Sequence, residues 1–256
     1  MTRRTRSLLI STAAVGAAAT AGAWLYKRWG YPVRSTTRDV ARAPDPPPTT
    51  QPEPPGRAPL QTEDDGAGAR FHRRYEVDVG APSMSPRALI ARIGEDIQAF
   101  VPDEIAVFKK VVGAPGRLAV GDEFDIEIRS PWDGPVRVVE AEPEAFTLAT
   151  LEGHLEAGQI RFAASDHPTA PGALRFGIES WARSRDGLVD FVYDELGLAK
   201  SAQQAMWTFF CERVAEASGG ERMGEIRVLT ERERPDDDPR LDAEAGGAGP
   251  APGDDG

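Results

Sequence analysis

The sequence predicts an α+β fold in which a curved antiparallel sheet of about six to seven strands wraps around a long C-terminal helix. Three observations carry this reading. Between Phe71 and Trp181, short runs alternate apolar and polar residues with a period of two, parted by Gly, Pro or acidic turns. A helical pattern follows the first of these runs, and a longer one closes the series. A sheet with one apolar face needs a cover, and an amphipathic helix arriving last supplies one.

The first strand covers Phe71–Val79, with Phe71, Arg73, Tyr75, Val77 and Val79 on one side and His72, Arg74, Glu76 and Asp78 on the other. Ser85-Pro86 is a helix start, Ser as N-cap and Pro at the first helical position. Leu89, Ile90, Ile93, Ile97 and Phe100 follow at helical spacing, and Pro102 ends the run. Ile105–Val112 reads as a strand closed by the turn Gly113-Ala114-Pro115-Gly116. Glu123–Arg129 places Phe124, Ile126 and Ile128 on one face; Val136–Glu140, Ala145–Leu155, Gln159–Ala164 and Leu174–Trp181 continue the strand series. Leu188, Phe191, Val192 and Leu196 form one amphipathic helical stretch. Past Gly197, Ala202, Met206, Phe209, Phe210 and Val214 form another, stopped by Ser218-Gly219-Gly220.

The two ends read differently from the middle. Residues 1–34 form an N-terminal membrane anchor or signal segment: Arg3, Arg4 and Arg6 precede an uncharged run from Ser7 to Tyr26, followed by Lys27 and Arg28. Ala21-Gly22-Ala23 offers a cleavage site, and a misassigned start codon is the plainer alternative; the Lys-Arg-Trp after Tyr26 favours an uncleaved single-pass anchor, its orientation open. Residues 35–70 are expected to be a disordered Pro-rich linker, 71–230 the folded domain, and 231–256 a disordered acidic tail. The formal net charge is −11, and the predicted domain is acidic in its own right, which disfavours nucleic acid as a partner. A single cysteine, Cys211, excludes an intrachain disulfide and lies beside Phe209 and Phe210 as a core thiol.

Polar and aromatic residues concentrate between Pro131 and Ile160. A two-residue hairpin at Ala157-Gly158 would set Glu156 against Gln159, Leu155 against Ile160 and His154 against Arg161. Leu151, Leu155, Ile160 and Phe162 then share an apolar face, and Glu152, His154, Glu156, Gln159 and Arg161 a polar one. Phe146 and Leu148 have the parity of the polar set, so a bulge is expected between Leu148 and Leu151. The polar strip admits three readings: a salt-bridged surface with Arg161, a ligand-orienting strip at a cavity mouth, or an acid/base site built on His154 with Glu152 or Glu156. No second His lies in this block, and no metal ligand set or cofactor loop is recognisable. Trp132 and Asp133 precede Gly134-Pro135 and suit a turn. Trp181, of opposite parity to Phe176 and Ile178, either covers a sheet edge or meets a partner, and Tyr193 on the first C-terminal helical stretch could reach a cavity. The candidate ligand-binding set is therefore Trp132, Asp133, Glu152, His154, Glu156, Gln159, Arg161, Trp181 and Tyr193.

The strings VGDEFDIEIRSPWDGPVRVVE, FTLATLEGHLEAGQIRF, LRFGIESWARSRDGLVDFVYDELGLAK and MWTFFCERVA resemble an uncharacterised bacterial and plant family known only as a domain of unknown function. The W-D-G-P and T-L-E-G-H-x-E-A-G signatures are its specific marks, and the resemblance runs from about Phe71 to Ala217. The element order also resembles the helix-grip (START-like) superfamily, in which the sheet encloses the last helix and leaves a cavity. The family carries no established activity; the element order, the acidic domain and the lack of a catalytic set lead instead to the expectation of a membrane-tethered, non-catalytic binding domain for an apolar or amphipathic small molecule, a hydrophobic compound or lipid. An enzyme using His154 and Glu152, and an interaction module at the membrane, are the alternatives.

Overall fold

The computed structural model describes residues 32–49, 56–128, 133–185 and 198–233. Ten strands form one sheet: β1 (Val33–Val40), β2 (Ala67–Gly80), β3 (Ala106–Val112), β4 (Glu123–Ile128), β5 (Asp133–Glu142), β6 (Ala145–Thr150), β7 (Glu156–Asp166), β8 (Leu174–Ser184), β9 (Glu221–Arg222) and β10 (Ile226–Glu233). Their order is β1-β10-β2-β8-β7-β6-β5-β4-β3, with β9 paired to the end of β2. The count of six to seven strands is thus too low. Strands β2 to β8 match the expected series, and β1, β9 and β10 extend it beyond β2.

The added strands lacked a hydrophobic signal for a physical reason. Six of the eight side chains of β1 are exposed, so nothing in its sequence alternates. It is held instead by parallel pairing with β10, Val33 opposite Ile226 through Val40 opposite Glu233, and by the ion pairs Arg38–Glu231 and Arg34–Glu225. Residues 35–40 were expected inside a disordered linker, and 33–34 at the end of the N-terminal segment, and together they are a strand; Glu231–Glu233, expected in the tail, complete β10. The β1–β10 pair also makes the sheet mixed rather than wholly antiparallel.

Helix α1 (Pro86–Glu95) begins as its sequence requires, with the Ser85 hydroxyl accepting the Ala88 amide at 3.2 Å and Pro86 inside the first turn. Leu89, Ile90 and Ile93 are buried. The helix stops at Glu95, five residues before Phe100, because Asp96 caps a separate 3-10 turn over Ile97–Phe100. Helix α2 (Leu198–Ala217) packs on β2 and β8 and ends where Gly219 adopts φ 71°. It is not the last element, since β9 and β10 follow it.

The inner face of the sheet meets α2 through aromatic rings. Phe210 lies 5.3 Å from Phe100, 5.3 Å from Phe162, 5.8 Å from Phe176 and 6.0 Å from Trp207, centroid to centroid. Phe162 stacks on Phe146 at 4.6 Å. Such rings carry large buried areas and favour these offset and tilted contacts. Cys211 is buried beside them, and burial pushes its thiol up and out of the reactive range.

Among the described residues no helix is long and apolar enough to cross a membrane. Of the segment read as an anchor or signal, residues 1–34, positions 33–34 belong to β1 and 1–31 lie outside the described residues. The helical stretch over 188–196, with Tyr193, and also Trp132 and the chain beyond Glu233, are outside them too.

On the outer face, Asp78 of β2 is buried and receives Arg175 from β8 at 2.7 Å and Arg227 from β10 at 2.7 Å. Burial alone would raise its carboxyl, but the hydrogen bonds and charges of Arg227 and Arg175 override this and hold it well below the usual range. A depressed carboxyl contributes stability that is complete above its ordinary value of 3.8 and is lost as the pH falls below it. Replacing Asp78 by Ala is expected to cost about 3 kcal/mol at neutral pH, because two guanidiniums lose their anion. Urea unfolding followed between pH 7 and pH 2.5 checks this: the variant should show a shallower acid limb than the parent chain.

Candidate functional site

The connection between β6 and β7 differs from the expected hairpin. Strand β7 starts at Glu156, so Ala157-Gly158 lies within it, and the turn occupies Leu151–Leu155. Ala149 pairs with Gln159 and Leu148 with Ile160. Gly158 is glycine for close approach rather than for a turn: a Cβ there would lie 2.0 Å from the Trp181 carbonyl oxygen. Gly153, at φ 99°, makes the bend instead. No bulge is needed between Leu148 and Leu151, since β6 ends at Thr150 and Leu151 bridges to Leu60.

Gln61, which the sequence reading placed in the linker, organises this turn. Its side-chain amide donates to the carbonyls of His154 at 3.0 Å and Glu156 at 2.9 Å and accepts the Gly153 amide at 3.2 Å. Its backbone bonds Thr150 and Gly158. His154 is buried within the turn, where Nδ1 accepts the Glu156 amide at 2.9 Å. A Cβ added at Gly134 would lie 2.9 Å from His154 Nε2, so the ring fills the space over that glycine. Burial lowers the pKa of His154 below its ordinary value of 6.5, outweighing the raising effect of Glu156, and keeps the ring neutral.

The polar strip is therefore dispersed. Glu152 is exposed in the turn, with its amide on Pro59, and is not joined to His154. Gln159 and Arg161 face outward: Gln159 holds Pro47 and Thr49, and Arg161 pairs with Glu140 at 3.1 Å. Asp133 starts β5, opposite Glu127. Trp181 is 4% exposed and stacks on His72 at 5.4 Å, so it is not a free contact surface. His72 in turn lies 2.7 Å from both Glu231 and Glu179.

Glu156 turns the other way, toward α2. Gln203 of that helix donates to it at 3.2 Å, and Arg73 Nη1 faces it at 3.5 Å. Arg73 is 5% exposed, and Nη1 is buried without a hydrogen bond. Its guanidinium lies 4.5 Å from the Phe71 ring centroid. Tyr75, on the same face of β2, is buried as well. Thus Arg73, Glu156 and Gln203 form a polar group at one end of the helix-facing interior. Nearby packing is thinner: Gln203–Met206 are half-buried, whereas Trp207, Phe210, Cys211 and Val214 are fully covered. The sequence reading found Glu156 but missed Arg73, whose place among the apolar residues of β2 was the available signal. Among the described residues no group of His, Cys, Asp or Glu could hold a metal ion.

The fold is thus α+β, a large sheet carrying α2 on its inner face, with the Arg73, Glu156 and Gln203 group at one end of that face. Residues 61–210 match the family described as "Domain of unknown function (DUF1990)", and the chain belongs to that family. No curated protein matches it. Solved structures similar to it include truncated norcoclaurine synthase from Thalictrum flavum, at 14% identity and TM-score 0.43, covering 59% of this chain and 96% of that one. A Thermus thermophilus protein is 13% identical with TM-score 0.42, covering 57% of this chain and 99% of its own. A hypothetical protein of Helicobacter pylori is 11% identical with TM-score 0.41, covering 57% and 86%.

A neutral buried histidine gives a second pH window. The folded chain resists protonating His154 and the unfolded chain does not, so stability is complete above 6.5 and declines as the pH falls below it. His154→Gln should lower the melting temperature at pH 8 and remove the decline between pH 6.5 and pH 5, before carboxylates such as Asp78 titrate. Thermal denaturation across that range reads both effects.

Proposed function

We propose that the chain is a non-catalytic binding domain for an amphipathic small molecule carrying an anionic head, held at the polar end of the helix-facing interior. The observation that supports this is the buried Arg73 Nη1, which has no hydrogen bond and faces a single carboxylate at 3.5 Å. An unsatisfied buried donor costs about 1–3 kcal/mol, a cost a ligand oxyanion would relieve. The half-buried Ile160 and Met206 offer apolar surface beside it. The centre of the interior is filled by the rings around Phe210, so the ligand body lies toward the thinner end rather than along the whole helix. In this reading the segment that precedes β1 tethers the domain to a membrane, where lipid-derived ligands are concentrated.

Dodecanoate, titrated below its micellar concentration into the full chain by calorimetry, tests the reading. Arg73→Met should weaken binding at least tenfold, which is about 1.4 kcal/mol. Glu156→Gln should strengthen it, because the carboxylate that competes for Arg73 is gone. Equal affinities in the parent and both variants, with melting temperatures unchanged, would sink the proposal.

A further inference from the structure

The opposite face of the sheet carries a groove of about 450 Å³ beneath the Pro-rich segment that precedes β2. That segment runs over the sheet as a strap fixed at two points. Arg70 donates to the carbonyls of Ala43 at 3.3 Å and Pro44 at 3.0 Å. Gln159 donates to the Pro47 carbonyl at 2.9 Å and accepts the Thr49 hydroxyl at 3.0 Å. Pro46, Pro47 and Pro48 have no amide hydrogens, so this wall offers only acceptors and stays extended. Below it, Ala149 and Gly158 leave the floor without bulk.

Most polar groups along the groove are already engaged. Arg70 meets Glu63 at 2.8 Å, Asp45 at 3.2 Å and Glu233 at 3.4 Å. Gln61 is occupied by the β6–β7 turn and Gln159 by the strap. Two charged lining residues remain. Arg183 has no carboxylate within ion-pair distance among the described residues, and its Nε is buried without a hydrogen bond. Asp64 is exposed at the rim and has no ion pair among the described residues.

We propose that this groove binds an amino-acid-sized zwitterion, with its carboxylate on the Arg183 guanidinium and its ammonium toward the acidic rim at Asp64. The planar guanidinium fork fits a carboxylate. Four carboxylates line the groove against two guanidiniums, so a plain anion is repelled by the local field, whereas a molecule that also carries an ammonium is drawn in. The volume suits a ligand of that size. The site faces away from the interior and is independent of the Arg73 end.

Calorimetric titration of the full chain with L-lysine tests this, with acetate and 1,5-diaminopentane as probes carrying one kind of charge each. L-lysine should bind at least tenfold more tightly than either control. Arg183→Met should weaken L-lysine tenfold or more while leaving the diamine unchanged. Asp64→Asn, at an exposed position, should weaken both L-lysine and the diamine several-fold with the melting temperature unchanged. Neither variant should alter dodecanoate binding, which reads the other face. Absence of an L-lysine heat, or unchanged L-lysine affinity in Asp64→Asn together with a folded Arg183→Met, would overturn the proposal. Equal affinity for L-lysine and the diamine would also overturn it, by leaving Arg183 without a role.

Discussion

Strand β2 has to be satisfied along both edges, and the rest of the molecule is arranged around that requirement. An unpaired edge of 14 residues would expose a long row of amides and carbonyls. Here β8 takes one edge and β10 the other, while β9 adds a short cover at the end. Side chains on the outer face of β2 repeat the same connection. His72 lies between Glu179 of β8 and Glu231 of β10, and Asp78 between Arg175 of β8 and Arg227 of β10. Two polar rungs thus tie three strands, and β1 can join only because β10 is already in place.

The other face of β2 has the opposite task. Tyr75, Val77 and Val79 belong to the apolar core against α2, and Arg73 interrupts the pattern one step earlier. A charge this deep needs a partner, and Glu156 from β7 with Gln203 from α2 supplies an incomplete one. The same strand therefore gives the sheet its cohesion on one side and places a buried guanidinium in the interior on the other. The aromatic packing around Phe210 fills the middle of the interior, so the ligand proposed for this face lies at the end where Arg73 is.

The central series of strands was legible because each buries one face in the common core shared with α1 and α2, which writes a period of two into the residues from Phe71 to Trp181. The start of α1 was legible because Ser85 and Pro86 do chemistry that few residue pairs can do there. Strand β1 was not, since pairing and ion pairs hold it while its side chains stay in water. The turn was misplaced because a glycine needed for close approach, Gly158, looks in sequence like a glycine needed for a bend. The polar strip followed that error: once β7 begins at Glu156, Glu152, His154 and Glu156 separate to solvent, turn interior and helix side. Arg73 was visible in the alternation, but its significance depends on Glu156 and Gln203, which are 83 and 130 positions away.

The tryptophans offer the most direct test of whether the polar end of the interior is the place of binding. Trp207 lies on α2 one turn from Gln203, and Trp181 lies on the outer face against His72. Indole ¹H–¹⁵N resonances of the full chain, each assigned by Trp→Phe replacement, can be followed while dodecanoate is added. The account expects the Trp207 indole to shift and that of Trp181 to stay in place. A shift of Trp181 with Trp207 unmoved would place the ligand on the wrong face of the sheet and contradict it.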